Sequence, residues 1–133
     1  MDILSINSTA REEILDITAN VAAIVSQHKW LNGALFLFCQ HTTCGLTINE
    51  GADPAVRADL IRFFQEIAPY KHNWTHFEGN TDAHIRASLL GSSLLVPVQD
   101  GHLQLGRWQS IYLYEGDGPR KRLIICQFLP EAK

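Results

Sequence analysis

The stretch His41 to Asp53, HTTCGLTINEGAD, constrains this chain more than any other part of it. It follows an apolar run, Ala34 to Cys39, ALFLFC, that reads as a buried strand. A rigid element is therefore expected to deliver an imidazole, three hydroxyls, a thiol, a carboxamide and two carboxylates to one place. From Cys44 onward, apolar Leu46 and Ile48 alternate with polar Thr47 and Asn49, the period of a half-buried strand. Glu50, Gly51 and Asp53-Pro54 then break that strand. Chemistry is expected where it begins and ends.

The flanking segments supply the rest of the layers. Met1 to Ile6 reads as a first strand, ended by Asn7-Ser8-Thr9. Thr9 and Glu12 have capping-box spacing for a helix from Ala10, yet Ile14, Leu15 and Ile17 suit a strand equally well. Helix is read from about Thr18, with Ile17, Val21, Ile24 and Val25 on one apolar face as far as His28. Asp53-Pro54 reads as an N-cap followed by proline in the first turn, opening a helix whose stripe is Val56, Leu60, Phe63, Phe64 and Ile67. Pro69 to Phe77 reads as loop, and Thr81 or Asp82 as the cap of a short helix from Ala83 to Leu90 that ends at Gly91. Beyond Ser92 the pattern is a strand meander: Leu94 to Val98, a turn at Asp100-Gly101, His102 to Gln104, Trp108 to Tyr114 and Leu123 to Phe128. This order predicts one α+β domain over residues 1–133, with helices laid on antiparallel sheet.

With 133 residues, 46% of them hydrophobic, the chain is long enough to bury a core of its own. A net charge of -3 and a pI near 6.0 give no global electrostatic reason to bind nucleic acid or an anionic membrane, so an anionic ligand would have to be held locally. Residues 1–20 lack a signal-peptide pattern, and no apolar run approaches the roughly 20 residues of a membrane span. The three cysteines, Cys39, Cys44 and Cys126, lack CxxC spacing, which favours a reduced compartment; a cytoplasmic location is expected.

Three histidines are weighed as metal ligands: His41 at the strand exit, His76 before Glu78-Gly79-Asn80, and His84 at the start of the short helix. Three neutral imidazoles around a divalent ion leave a position open for water or substrate. No HExxH pairing brings two of them together locally, so the alternative is three ordinary capping or hydrogen-bonding histidines. Nearby acids Glu50, Glu78 and Asp82 are the kind of group that orients ligating imidazoles. Asn49, Glu50 and Asp53 form a polar cluster suited to proton transfer or to a hydrated hard cation, although helix capping accounts for Asp53. Gly106-Arg107-Trp108-Gln109 reads either as the edge of a polar pocket or as a bulge with Trp108 in the core. Cys44 is read as a small buried or half-buried thiol rather than a nucleophile, and Cys39 and Cys126 as core. Nucleotide-binding and serine-hydrolase motifs are absent.

Through HTTCGLTINEGADPAVRADL, HFEGNTDAHIRASLLGSSLLVPV and GHLQLGRWQSIYLYE, nearly the whole chain resembles the YjbQ, or UPF0047, family, also described as secondary thiamine-phosphate synthase enzymes. The resemblance implies a β-sandwich of two sheets with two main helices, in the order β-β-α-β-β-α-β-β-β, and makes the segment before Asp16 a strand. It also implies a homotrimer. The family's motif histidines fall on His41, His76 and His84 as metal ligands for zinc, with magnesium as the alternative. Asn49, Glu50 and His41 then become the catalytic candidates, and Gly106, Trp108, Gln109 and Asp82 the substrate-binding ones. The resemblance also implies that the Cys44 position is often a small residue such as alanine in members, which argues against a required thiolate.

The reaction the resemblance implies is a transferase reaction. It joins hydroxymethylpyrimidine diphosphate to thiazole phosphate and releases diphosphate, as a main or a side activity. Arg86 and Arg107 are candidate helpers for the departing charge. Two alternatives stand beside it: a metal-dependent phosphate-ester hydrolase or lyase with Glu50 as general base, and a non-catalytic trimer that binds a metal or small ligand.

Overall fold

The computed structural model describes residues 1–133. The elements in chain order are β1 (Asp2–Asn7), β2 (Glu13–Asp16), α1 (Thr18–Gln27), β3 (Gly33–Cys39), β4 (Cys44–Glu50), α2 (Pro54–Ile67), α3 (Thr81–Leu90), β5 (Ser93–Gln99), β6 (His102–Leu103), β7 (Gln109–Glu115) and β8 (Lys121–Pro130). They form a five-stranded sheet, β1-β8-β3-β5-β6, and a three-stranded sheet, β2-β7-β4, every neighbouring pair antiparallel.

Period-two patterning decides which face each strand buries. In β3, Leu35, Leu37 and Cys39 point inward. In β8, Arg122, Ile124 and Cys126 do the same. Leu46 of β4 and Ile111 and Leu113 of β7 meet them from the other sheet, while Val21, Ile24 and Val25 of α1 join the same core. Strand β7 is buried on both faces: Tyr112 and Tyr114 turn away from that core and pack with Ile14 and Phe64 of α2 in a smaller cluster. The Phe64 and Tyr114 rings meet edge-on at 5.4 Å. The outward face of the five-stranded sheet is different. Ile3, Leu95, Leu123 and Leu129 are exposed there, and Phe36, Phe38 and Ile125 are half-buried beside them.

Local chemistry explains most boundaries. The Asp53 carboxylate accepts from the Ala55 amide at 2.9 Å, with Pro54 opening α2. Asp100 and Gly101 take φ of 51° and 78°, the left-handed pair that a two-residue hairpin between β5 and β6 needs. The structure decides two readings that the sequence left open and moves one boundary. The helix from Ala10 does not form: Glu13 rather than Glu12 accepts from the Thr9 amide, at 2.5 Å, and the chain enters β2. The short third helix, read from Ala83 with Thr81 or Asp82 as its cap, starts at Thr81, with Asn80 as a cap residue that makes no side-chain capping bond. Trp108 is 56% exposed and is not core.

Leu37 is fully buried between the sheets, so Leu37→Ala should cost about 2–5 kcal/mol, read as a lower urea midpoint with an unchanged m-value.

Candidate functional site

Three strand-to-strand links cross between the sheets at one end; besides residues 8–12, from β1 to β2, two of them flank the candidate site. One crossing is residues 40–43, from β3 to β4; the other is residues 116–120, from β7 to β8. They lie side by side, with the Gly116 amide donating to the Thr43 carbonyl at 3.0 Å. Helix α3 packs against the second of these crossings too closely for a side chain there: a Cβ on Gly116 would sit 2.8 Å from the Cβ of Ala83.

A buried ion pair fastens the crossings together. Glu115 and Arg122 have side chains 0% and 2% exposed. Arg122 donates Nε–H to Glu115 Oε1 at 2.8 Å and uses Nη2 to reach both Glu115 Oε2 and the Thr43 hydroxyl, the latter at 2.8 Å. Ser8 donates to Glu115 Oε1 at 2.7 Å, and the Asp117 amide to Oε2 at 3.0 Å. Burial alone would raise the Glu115 carboxyl, but the Arg122, Ser8 and Asp117 donors outweigh it and hold it below the ordinary carboxylate value. Thr43 is thereby anchored two residues after His41.

His41 accepts from the Leu123 amide through Nε2 at 2.9 Å, so in the neutral ring Nδ1 carries the proton. Burial lowers its pKa, and the positive charge of Arg122 lowers it further, which keeps the imidazole neutral at pH 7. His84, in the first turn of α3, shares two adjoining cavities with His41. The first, about 360 Å³, is also lined by Thr42, Cys44 and Ser88. The second, about 350 Å³, has no hydrophobic lining residue and includes Glu78, Asn80, Asp117 and Arg120. His76 completes the group: its ring meets that of His84 edge-on, centroids 5.5 Å apart. Asn80 donates Nδ2–H to Asp117 at 2.9 Å, so its carbonyl oxygen faces His76 Nε2 at 3.1 Å; Nε2 is the donor and His76 Nδ1 keeps its lone pair.

The predicted residues therefore separate into sets. His41, His76 and His84 gather at one end of β4. Asn49, Glu50, Trp108 and Gln109 line a cavity of about 270 Å³ at the other end. Six residue steps of strand, about 20 Å, lie between Cys44 and Glu50. Gly106 borders the second set by donating to Gln109 Oε1 at 2.7 Å. Within it Glu50 Oε2 is buried and makes no hydrogen bond. Asp82 joins neither set. It is fully buried, with Arg11 donating to both carboxylate oxygens at 3.0 and 2.9 Å and Arg86 at 3.2 Å. Arg86 is 1% exposed, and Glu12, Tyr114 and the Ala68 carbonyl hold its two terminal nitrogens, leaving only a buried Nε unpaired and nothing aimed at the histidine cavities. Arg107 stacks on Trp108, 4.8 Å from the ring centroid.

In kind, the histidines fit a divalent ion: all are imidazoles, His76 has a free lone pair, and His84 stands beside it and across a cavity from His41. No three His, Cys, Asp or Glu side chains of one chain converge on a point, and His41 would first have to release the Leu123 amide. Sequence reasoning missed Asn80, Asp117, Arg120, Glu115 and Arg122. A signal existed for the last: Arg122 shares the inward phase of Ile124 and Cys126, and a cation there demands a buried partner.

Two antiparallel sheets, three helices and a histidine-lined cavity at the paired crossings define an α+β protein of a kind already seen in crystals. An uncharacterized conserved protein of the YjbQ/UPF0047 family from Clostridium acetobutylicum matches with a TM-score of 0.93 at 39% identity, over 97% of this chain and 100% of that one. A conserved hypothetical protein from Thermus thermophilus matches with 0.91 at 42%, over 97% and 100%. The UPF0047 protein YugU of Bacillus subtilis is 48% identical over 127 residues, 95% of this chain and 96% of that protein. This chain belongs to the YjbQ family: the family model described as UPF0047 protein YjbQ-like matches residues 2–131. No helix is long and apolar enough to cross a membrane.

Glu115→Gln, which leaves Arg122 buried beside a neutral amide, should destabilise by about 3–5 kcal/mol in urea melts. Because the folded carboxyl sits below its unfolded value, its stabilisation is present above that value, near pH 4.3, and is lost as pH falls through the folded one. Wild-type midpoints should drop with acid over that window and those of the variant should drop less.

Proposed function

We propose that this chain is a homotrimeric, metal-assisted enzyme acting on a small phosphorylated substrate. His41, His76 and His84 hold a divalent ion, zinc in preference to magnesium because every donor is an imidazole. The reaction we read from the resemblance is of the thiamine-phosphate synthase type, a transfer of the hydroxymethylpyrimidine group to thiazole phosphate with release of diphosphate. The observation that carries this reading is the second histidine cavity, where every lining residue is polar and His41 and His84 share the wall with Arg120.

When bound, the ion supplies positive charge against the charge that develops on a departing diphosphate. Arg120 adds a guanidinium from the other crossing, held by the Asp117 carbonyl at 2.8 Å and carboxylate at 3.2 Å. His41, neutral, would ligate through Nε2 once the Leu123 amide is released, leaving its Nδ1–H as a donor. Asn80 orients His76 as described above. Glu50, whose Oε2 has no partner, accepts a proton, and Trp108 with Gln109 offers a face and an amide to the substrate ring.

The two sets stand about 20 Å apart in one chain, so a site using both draws them from different copies. The uncovered apolar face bearing Ile3, Phe38, Leu95 and Leu123 supports association, and cyclic symmetry gives every copy the same complement. A second reading follows from the bare Glu50 oxygen: a phosphate-ester hydrolase with Glu50 as general base.

Protein purified without a histidine tag or added metal should carry stoichiometric metal that His76→Ala and His84→Ala both lose while staying folded. A wild type that takes up neither zinc nor magnesium overturns the metal half of the reading. Glu50→Gln should keep the metal and lose roughly 10²-fold or more in turnover, assayed as diphosphate release against simple ester hydrolysis. Mixed trimers of His84→Ala and Glu50→Gln chains should regain activity that neither has alone. Wild-type turnover at background with metal bound would instead make this a binding protein.

A further inference from the structure

Cys39 ends β3 in one sheet and Cys44 begins β4 in the other, so the crossing that carries His41 starts and finishes on a cysteine. Their Sγ atoms lie 3.1 Å apart. Both are buried, at 2% and 1% exposure, and both are free thiols. Cys44 also lines the cavity of about 360 Å³ that contains His41 and His84, which gives a small solute a path to the pair. Cys126 is equally buried but its sulfur meets only the Ile124 carbonyl, at 3.9 Å. A disulfide needs its sulfurs at about 2.05 Å, so the gap must close by about 1 Å, within reach of side-chain rotation and a small shift of the crossing.

We propose that Cys39 and Cys44 form a redox couple that closes to an intrachain disulfide when a peroxide enters the histidine cavity. One thiol sulfur attacks a peroxide oxygen: an S–O bond forms, the O–O bond breaks, and the leaving oxygen takes the thiol proton and departs as water. The second sulfur then attacks the sulfenic sulfur. An S–S bond forms, the S–O bond breaks, and the departing oxygen takes the second thiol proton as another water. Two thiols lose two electrons and one hydrogen peroxide gains them. Closure puts Gln40, His41, Thr42 and Thr43 inside a covalent ring, so the oxidation state sets how far His41 can move. The inference is independent of the metal and of the reaction proposed above.

The test exposes the folded protein to hydrogen peroxide, alkylates it under denaturing conditions and digests it with trypsin. Peptide Trp30–Arg57, which carries both cysteines, should appear unalkylated and about 2 Da lighter, and dithiothreitol should reverse the change. Alkylated thiols should fall from three to one. Cys126→Ala should close the same bond, and Cys44→Ala should not. Three thiols still alkylated, oxygen added to either cysteine in place of the mass loss, or a pairing that needs Cys126 would each overturn the proposal. The wild-type peptide decides the matter even where a variant fails to fold.

Discussion

The pairing of Glu115 with Arg122 is the constraint that the functional end of the molecule depends on. A carboxylate and a guanidinium buried together are stable only when the remaining lone pairs and protons find partners. Here the spare acceptor capacity of Glu115 goes to Ser8 and the Asp117 amide, and the spare donor of Arg122 goes to Thr43. The electrostatic need to satisfy two ions is thus what draws the exit of β1, both sheet crossings and the first residues of β8 into one place. Apolar packing between Leu37, Leu46, Leu113 and Ile124 holds the sheets face to face but has no preference for where their connections run.

That arrangement also sets the electrostatics of the histidine cavity. Arg122 lies near enough to His41 to disfavour its protonation, while Glu115 partly offsets the effect. Asp117 serves two masters, accepting from Asn80 and from Arg120, so the residue that orients His76 and the cation lining the cavity are bound to one carboxylate. A second, partly buried cluster, Arg11, Glu12, Asp82, Arg86 and Tyr114, ties α3, the helix that carries His84, to the three-stranded sheet.

Much of the fold was legible because period-two and period-3.6 patterns report burial directly. Asp53-Pro54 and Asp100-Gly101 were legible for a sharper reason: each has one local conformation in which its chemistry is satisfied. Thr9 was not, because Glu12 and Glu13 stand equally ready to answer its amide and only the tertiary demand of Arg86 for Glu12 decides between them. The gathering of His41, His76 and His84 at one end was implied by the family resemblance and could not be read from their spacing, since no local motif pairs any two of them. The distance from them to Glu50 did not, since adjacency in sequence hid that β4 carries the two ends apart. The sulfur pair escaped for a related reason: the spacing of Cys39 and Cys44 says nothing until one knows that the crossing between them folds back across the core.

Strand β4 acts as a fixed spacer between the two polar sets. Pairing with β7 holds its register over all seven residues, Cys44 opposite Glu115 through Glu50 opposite Gln109. Inserting or deleting one residue would swap the faces, turning Asn49 toward the core and Leu46 away from it. The interval between the sets can therefore change only in steps of two residues, each about 7 Å, larger than any bonded contact can absorb. Descendants of this chain are free to trade the chemistry at either end, while the length that separates the ends is inherited as a unit.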